Sequence, residues 1–346
     1  MAWPKPVFSR KAIQRAGETL ISGKFDADDF SKAFEILTNW RACHGYPVNT
    51  FNVTLRDKLD RLTSDYLVAQ RLKRWPSILA KLQRFPGMSL ARMQDIGGLR
   101  AVVENVSCAE NVRESYRKSK FAHELVADTD YIVSPKDSGY RGFHMVYKYR
   151  GSHSQDYDGL QLELQIRTRV QHAWATAVET AGTFLNQSLK SSEGPDRWLD
   201  FFSLVSAGFA LREECPVGQR WKHLNEEEIQ DRIRIQVNEI GIIEKLSTFR
   251  IALNAITNNN HRGTYYLIVL DPGEQTVSVA AYSRQRLEEA NADYSKHEKG
   301  LEKESARQVV LVSASSLDQL RRAYPNYFLD TQEFLNMLSD ITEANI

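Results

Sequence analysis

The sequence is short of cysteine. Cys43, Cys108 and Cys215 stand far apart and form no C-x-x-C pair. That argues against a cysteine-rich zinc site and suits a reducing cytoplasm. Long apolar runs are lacking too. The longest, from Phe201 to Leu211, is broken by Ser203, Ser206 and Gly208 and is too short to span a bilayer. Met1 to Pro6 contains no apolar signal core, so neither a leader nor a membrane is expected. Net charge is nearly absent, at +1 over 346 residues, so no bulk field draws the chain to nucleic acid or lipid. Repeats and low-complexity segments are missing. The length is comfortable for two domains.

What is present is a run of chemistry from Asp130 to His144, DYIVSPKDSGYRGFH. Tyr131 to Val133 favour a strand, Ser134-Pro135 and Asp137-Ser138-Gly139 favour turns, and a second strand is expected from Met145. Lys136, Tyr140, Arg141 and His144 on one short loop are poor core material. They suit a phosphate-bearing ligand with a flat base. Further on, LQLELQIRT (160–168) alternates. Leu162, Leu164 and Ile166 take one strand face, and Glu163, Gln165 and Arg167 take the other.

Helices are expected over 9–21, 28–40 and 52–70, with a turn at His44-Gly45-Tyr46-Pro47. No acid occurs from Arg71 to Arg84, so Arg71, Lys73, Arg74, Lys81 and Arg84 form a one-sided basic cluster fit for an anion. Asp95-Ile96-Gly97-Gly98-Leu99-Arg100 runs from a turn into a strand. Arg113 and Arg117 share a helix face that would be either solvated or set against an RNA backbone. Helices follow over 169–186, 197–214 and 226–257, the last long enough to join two bodies. From 261 onward strands and helices are expected in the order ββαβα, with the break Tyr324-Pro325-Asn326-Tyr327 near its end.

Together RLKRWPSILAK, DIGGLR, DYIVSPKDSGYRGFH and ELQIRT resemble the RelA/SpoT synthetase domain over residues 71–181, in the family's order and spacing. The resemblance implies an α+β, nucleotidyltransferase-like fold. It would comprise 1–195 as synthetase with N-terminal helices, 196–260 as helical connector, and 261–346 as a small regulatory module similar to a zinc finger without zinc. It implies pyrophosphate transfer from ATP to a ribose 3′-hydroxyl. Asp95 would bind Mg²⁺, and Glu163 would complete the metal site or take the proton. Arg71 and Arg100 would sandwich adenine, while Lys73, Ser77, Lys81 and Arg84 would hold phosphates. Tyr140 would stack on the acceptor base beside Lys136, His144 and Gln165, with Arg167 in support.

His172 departs from the pattern, which has Asn or Asp there to read guanine. Glu179 follows Trp174 by five residues rather than four. The chain as a whole resembles the CapRel type of fused toxin–antitoxin. That type implies a tRNA 3′-CCA end as acceptor and a phage protein as trigger, with GDP or GTP as the alternative acceptor. Its Tyr-x-x-Tyr plug of the ATP site would correspond to Tyr324 and Tyr327.

Overall fold

The computed structural model describes residues 3–24, 26–151, 154–185, 189, 194–251, 254–257, 263–271, 274, 276–299, 307–313, 317–328 and 330–343. Helix α1 (Arg10–Ser22) starts where the Ser9 hydroxyl accepts the Ala12 amide and stops at Gly23, whose φ of 64° only glycine adopts freely. Helix α2 (Ala27–Cys43) runs almost directly into α3 (Gly45–Leu62). The turn expected at 44–47 is the junction itself, and α3 begins seven residues before the expected Asn52. Pro47 is tolerated because it falls in the first turn, where its missing N–H has no helical partner to lose. His44 pins the junction through a 2.8 Å bond between Nδ1 and the Trp40 oxygen.

The expected helix to Gln70 also ends early. Thr63 is extended, and β1 (Tyr66–Leu72) follows. Its β-formers pair residue by residue with β2 (Gly97–Val103), and that ladder overrides the helical spacing. Between them lies α4 (Trp75–Arg84), and after β2 comes α5 (Val106–Arg117). Strand β3 is Glu124–Asp130, upstream of the expected Tyr131–Val133. Those residues form a turn instead, because Asp130 Oδ1 accepts the amides of Ile132 and Val133. Strands β4 (Phe143–Lys148) and β5 (Gln161–Thr168) complete the first half of the sheet, with β5 parallel to β2.

Leu162, Leu164 and Ile166 join Leu99, Ala101, Val103, Phe143, Met145 and Tyr147 in a core beneath the sheet, shared with the helices α1 to α5. A second core forms above it from α6 (Arg169–Phe184), α7 (Asp196–Arg212), α8 (Glu226–Ile240) and α9 (Ile242–Ile251). The single helix expected over 226–257 is broken at Gly241, which takes φ 64° as the cap of α8, and β6 (Asn254–Thr257) ends that stretch.

The C-terminal part supplies β7 (Tyr265–Asp271), β8 (Thr276–Tyr282), α10 (Leu287–Lys299), β9 (Gln308–Ser313), α11 (Leu317–Ala323) and α12 (Gln332–Glu343). The described strands make one sheet in the order β3-β4-β5-β2-β1-β9-β7-β8-β6. The C-terminal strands therefore extend the first half of the sheet through β1 and β9, which meet at the pair Arg71–Val312. Helix α12 packs its Phe334, Leu335, Leu338 and Ile341 into the second core. The turn 271–273 and the boundaries placed at 190–196 and 261 fall partly outside the described residues.

Gly97 is required by a close approach. A Cβ there would lie 2.6 Å from Val48 Cγ2 on α3. Gly97→Ala should lower stability by about 1–3 kcal/mol, read as a lower urea midpoint at unchanged slope. Burial lowers the His44 imidazole to about 4 from its ordinary 6.5, with the Trp40 oxygen only partly offsetting. A base depressed on folding costs nothing above pH 6.5 and progressively more below it, reaching about 3 kcal/mol near pH 4. His44→Gln should make stability fall less steeply between those pH values. Buried His172 is depressed in the same direction, so part of the slope should remain.

Candidate active site

Strand alternation and register set the site. Arg71, Gly98, Glu163 and Val146 form one cross-strand row on the sheet face opposite the first core. Ala69, Arg100, Gln165 and His144 form the next row, and Val102 and Arg167 follow. Glycine and alanine beside the two arginines leave room above the sheet.

At the open end of β1 the Lys73 amide donates to the Ile96 oxygen, which brings Lys73 level with Asp95. Lys73 Nζ and Lys81 Nζ lie 2.9 and 3.0 Å from the same oxygen, Asp95 Oδ2. Burial pushes the Asp95 carboxyl up, but the two lysines outweigh it and hold it below the usual carboxylate value. Asp95 Oδ1 is buried with no hydrogen-bond partner among the described residues. No group of three metal-ligating side chains gathers there among those residues. A divalent ion at Asp95 Oδ1 would thus take its other ligands from phosphate oxygens and water, as Mg²⁺ commonly does. Ser77 sits partly buried in the first turn of α4, and Arg84 closes that helix on an exposed turn.

Glu163, His144, Tyr140, Arg167 and Gln165 form a closed hydrogen-bonded ring. Arg167, 1% exposed, donates to the Tyr140 hydroxyl at 3.1 and 2.8 Å and to Gln165 Oε1 at 2.8 Å. The Tyr140 hydroxyl lies 2.5 Å from His144 Nε2, and His144 Nδ1 lies 2.7 Å from Glu163 Oε1. Gln165 Nε2 donates to Glu163 Oε2 at 2.6 Å. Since Tyr140 accepts from Arg167, its one proton goes to His144 Nε2, and Nδ1–H then serves Glu163. Burial chiefly lowers the His144 imidazole, in keeping with that neutral tautomer. Burial would raise Glu163, but the hydrogen bond from His144, with help from Gln165 and Lys81, holds it far below the usual range.

The placement of Tyr140 differs from the sequence expectation. Instead of an open face for a base, it is 3% exposed, with the Arg167 guanidinium 4.8 Å and Lys136 Nζ 5.2 Å from its ring centre. The loop is drawn inward by Arg141, which donates to the Ile132 and Pro216 oxygens at 2.7 and 2.9 Å and to the Ser206 hydroxyl at 3.3 Å. Gly139 packs on α7 with φ 90°, where a Cβ would strike Ser206 Cβ at 2.8 Å. Arg113 and Arg117 are not free for RNA. Arg113 pairs with Asp128 and Asp130, each at 2.8 Å, and Arg117 pairs with Asp128 and Glu114.

His172 is buried, with neither ring nitrogen hydrogen-bonded among the described residues. Burial beside Arg100 and Arg167 keeps it neutral, well below its ordinary pKa. Glu179 was not among the expected site residues. On α6, two turns after His172, it bears on Arg71 and Arg100. Its one signal in the sequence was an acid in the helix following the Glu163 strand.

The C-terminal part reaches the same face. The Tyr324 hydroxyl donates to the Gln70 oxygen at 2.6 Å, and Tyr327 is 1% exposed. Burial opposes the Arg71 charge, but Tyr327, Glu179 and Tyr324 leave that guanidinium above its ordinary value. Arg100 has fewer compensating groups, and burial with Arg167 and Arg71 nearby lowers it to about 10. Gln308 of β9 accepts from Arg74 at 3.4 Å and donates to Thr183 at 2.8 Å. The structure thus brings Arg71, Arg100, Tyr324 and Tyr327 together.

Residues 70–185 match the family model described as "Region found in RelA / SpoT proteins". GTP pyrophosphokinase YjbM of Bacillus subtilis is 36% identical over 112 residues, covering 32% of this chain and 52% of that protein. An uncharacterized protein of Mycobacterium tuberculosis is 26% identical over 199 residues, covering 56% of this chain and 66% of its own length. The chain thus spans about half to two thirds of the relatives it matches. The small alarmone synthetase 1 of Bacillus subtilis bound to its product pppGpp is 27% identical, with a TM-score of 0.43, and covers 50% of this chain and 90% of that one.

Arg113→Ala would leave the partly buried Asp130 without its cation and Asp128 with Arg117 alone. It should cost about 3 kcal/mol in chemical denaturation, whereas Lys118→Ala, on the exposed side of α5, should stay within about 0.5 kcal/mol.

Proposed function

We propose that the chain is a pyrophosphokinase that uses ATP as donor and a guanine nucleotide, GDP or GTP, as acceptor, and that its C-terminal part holds the ATP half shut. What carries this is the convergence on one sheet face of Arg71, Arg100, Lys73, Lys81, Asp95 and Glu163. The matched region and the relative named GTP pyrophosphokinase support the choice of acceptor.

In this reading Arg71 and Arg100 clamp the adenine. Lys73 and Lys81 leave Asp95 to draw the phosphates into line. Asp95 Oδ1, with Glu163 nearby, would hold Mg²⁺, which when bound neutralises charge on the phosphate oxygens. The acceptor 3′-oxygen loses its proton to water and bonds to the β-phosphorus of ATP as the bond from that phosphorus to the α–β bridging oxygen breaks, and AMP leaves. Glu163 is held so far down that it keeps its charge and is a weak base. It therefore orients the acceptor hydroxyl or serves an ion better than it removes a proton. Lys136, His144 and Gln165 line the acceptor side, and Tyr140 must leave its bond to His144 before it can face a base.

Regulation follows from Tyr324 and Tyr327, whose buried rings lie near Arg71 and Arg100 and would occupy the place of the adenine. No nucleotide enters the clamp until the C-terminal part moves. A partner that binds that part, such as a phage protein, would release it.

A second reading keeps the donor and changes the acceptor to the 3′-CCA end of tRNA. The buried, neutral imidazole of His172 favours it, because it offers guanine neither the carboxylate nor the amide that would read its edge.

The test supplies ATP labelled on its γ-phosphate to full-length chain carrying Tyr324→Ala and Tyr327→Ala, with GDP, GTP or tRNA. Label should enter the guanine nucleotide at least about tenfold faster than with the unchanged chain, and Asp95→Asn should slow it by about a hundredfold or more. Label on tRNA alone would establish the second reading. No transfer to any acceptor would overturn both.

A further inference from the structure

One hydroxyl ties down both neighbours of Tyr140. Ser206 Oγ of α7 donates to the Gly139 oxygen at 2.5 Å and accepts from Arg141 Nε at 3.3 Å. Ser206 is 3% exposed, so water has little access to either bond. One turn earlier on the same helix, Ser203 Oγ donates to the Asp137 oxygen at 3.2 Å and accepts from Trp221 Nε1 at 3.0 Å. Inside the loop the Gly139 amide donates to the Lys136 oxygen at 2.8 Å, and the Lys136 amide donates to the Tyr140 oxygen at 3.2 Å. The helix that holds the loop is itself held. Trp174 Nε1 donates to the Phe202 oxygen at 2.8 Å, and the Phe334 ring of α12 lies 6.0 and 5.8 Å from those of Phe202 and Phe209. Ser203, Ser206 and Trp221 all lie beyond the matched residues 70–185.

Apolar packing does not explain where the loop sits. Behind it, between 133–137 and 217–221, lies a cavity of about 130 Å³ with Ser203, Ser206 and Arg141 on its wall. With that space unfilled, the polar bonds fix the main chain of the loop. We infer that Ser206, with Ser203 one turn away, positions the acceptor loop. It fixes the main chain on both sides of Tyr140, so that the ring can leave His144 and meet the acceptor base without the loop drifting. The inference rests on the acceptor side of the function proposed above. Lys136 is carried by the same clamp, with its Nζ 5.2 Å from the Tyr140 ring centre. A loop set in place before the acceptor arrives loses less freedom on binding, so the clamp acts on acceptor affinity. Arg71, Arg100 and Asp95 stand on other elements, and the donor side should not feel it. Ser206 and Ser203 act through the loop and are positioning residues, not catalytic ones.

The experiment measures KM and kcat in full-length chain carrying Tyr324→Ala and Tyr327→Ala, with ATP labelled on its γ-phosphate and GDP or GTP as acceptor. Adding Ser206→Ala should raise the acceptor KM about five- to twentyfold and leave the KM for ATP within about twofold. Val205→Ala trims a side chain of the second core on the same helix and should move neither KM by more than about twofold. An unchanged acceptor KM with Ser206→Ala, or an equal rise with Val205→Ala, would overturn the inference while leaving the pyrophosphokinase reading intact. Ser203→Ala takes its place if Ser206→Ala does not fold. It should raise the same KM about threefold or more, and no rise would overturn the inference equally. A second arm follows amide hydrogen exchange in the otherwise unchanged chain. Ser206→Ala should speed exchange of the Lys136 and Gly139 amides at least about tenfold and leave β4 and β5 as they were. Unchanged exchange at those two amides would overturn the clamp whatever the acceptor. Label entering neither GDP nor GTP would overturn the acceptor reading and the inference with it.

Discussion

Crowding of positive charge on one face of a sheet governs this molecule. Arg71, Arg100 and Arg167 stand on neighbouring strands, with Lys73 and Lys81 at the edge. Each disfavours the others, and burial disfavours them all. The depressed Arg100 reflects that arrangement, because burial, Arg167 and Arg71 lower it by more than Glu179 and the Tyr140 phenol raise it. A site of this kind is stable when anions or aromatic faces are brought to it. Asp95 answers the lysines, Glu163 and Glu179 answer the arginines, and Tyr324 and Tyr327 occupy what remains. An incoming triphosphate would supply the same compensation in a stronger form. On the proposed reading, a neutral plug would suit the same space and yet remain displaceable.

The ring around Glu163 resolves part of the crowding in a directed way. Both of its arms start at the Arg167 guanidinium and end on the Glu163 carboxylate, one through Tyr140 and His144, the other through Gln165. A cation and an anion that do not touch are thereby joined by two chains of neutral donors. Each link is polarised in the same sense, which strengthens it in a low-dielectric setting. The arrangement also explains why residues expected to greet an acceptor are turned inward. Tyr140 and Gln165 are links, so an acceptor must offer Arg167 and Glu163 a better set of partners than they give each other.

Much of this was legible in the sequence. Alternation alone placed Glu163, Gln165 and Arg167 on a polar face, and Arg71, Arg100 and Asp95 were marked by type and position. What failed were boundaries and partners. Helical spacing ran on through Leu67 because a strand with three apolar residues in a row, Leu67, Val68 and Ala69, looks helical until its pairing with 97–103 is known. Gly241 sits in a charged helical pattern whose i,i+4 apolar positions continue on both sides of it. Its left-handed conformation, not its sequence context, breaks the helix. Arg113 and Arg117 looked like a free basic patch because Asp128 and Asp130 reach them from another element, and such pairing cannot be read along a chain. Glu179 was marked only as an acid one residue out of the expected spacing; its bearing on Arg71 and Arg100 comes from α6 packing over the sheet.

The joining of the two parts of the chain through one sheet gives the proposed regulation a physical form. β9 adds to the edge of β1 over a single described pair, which is a weak seam for backbone pairing. The side chains carry the rest. Tyr324 takes the Gln70 carbonyl, Gln308 spans Arg74 and Thr183, Arg322 lies 3.7 Å from Asp65, and the Arg41 guanidinium sits 4.4 Å over the Tyr294 ring. These contacts are polar, small and spread along the seam, so a partner could break them in sequence without unfolding either core. Helix α12, by contrast, is anchored by Phe334 and Leu338 at zero exposure in the core above the site. On the proposed reading, opening would pivot the β7–β9 strands about α12, so that Tyr324 and Tyr327 would leave Arg71 and Arg100 while the chain remained one body.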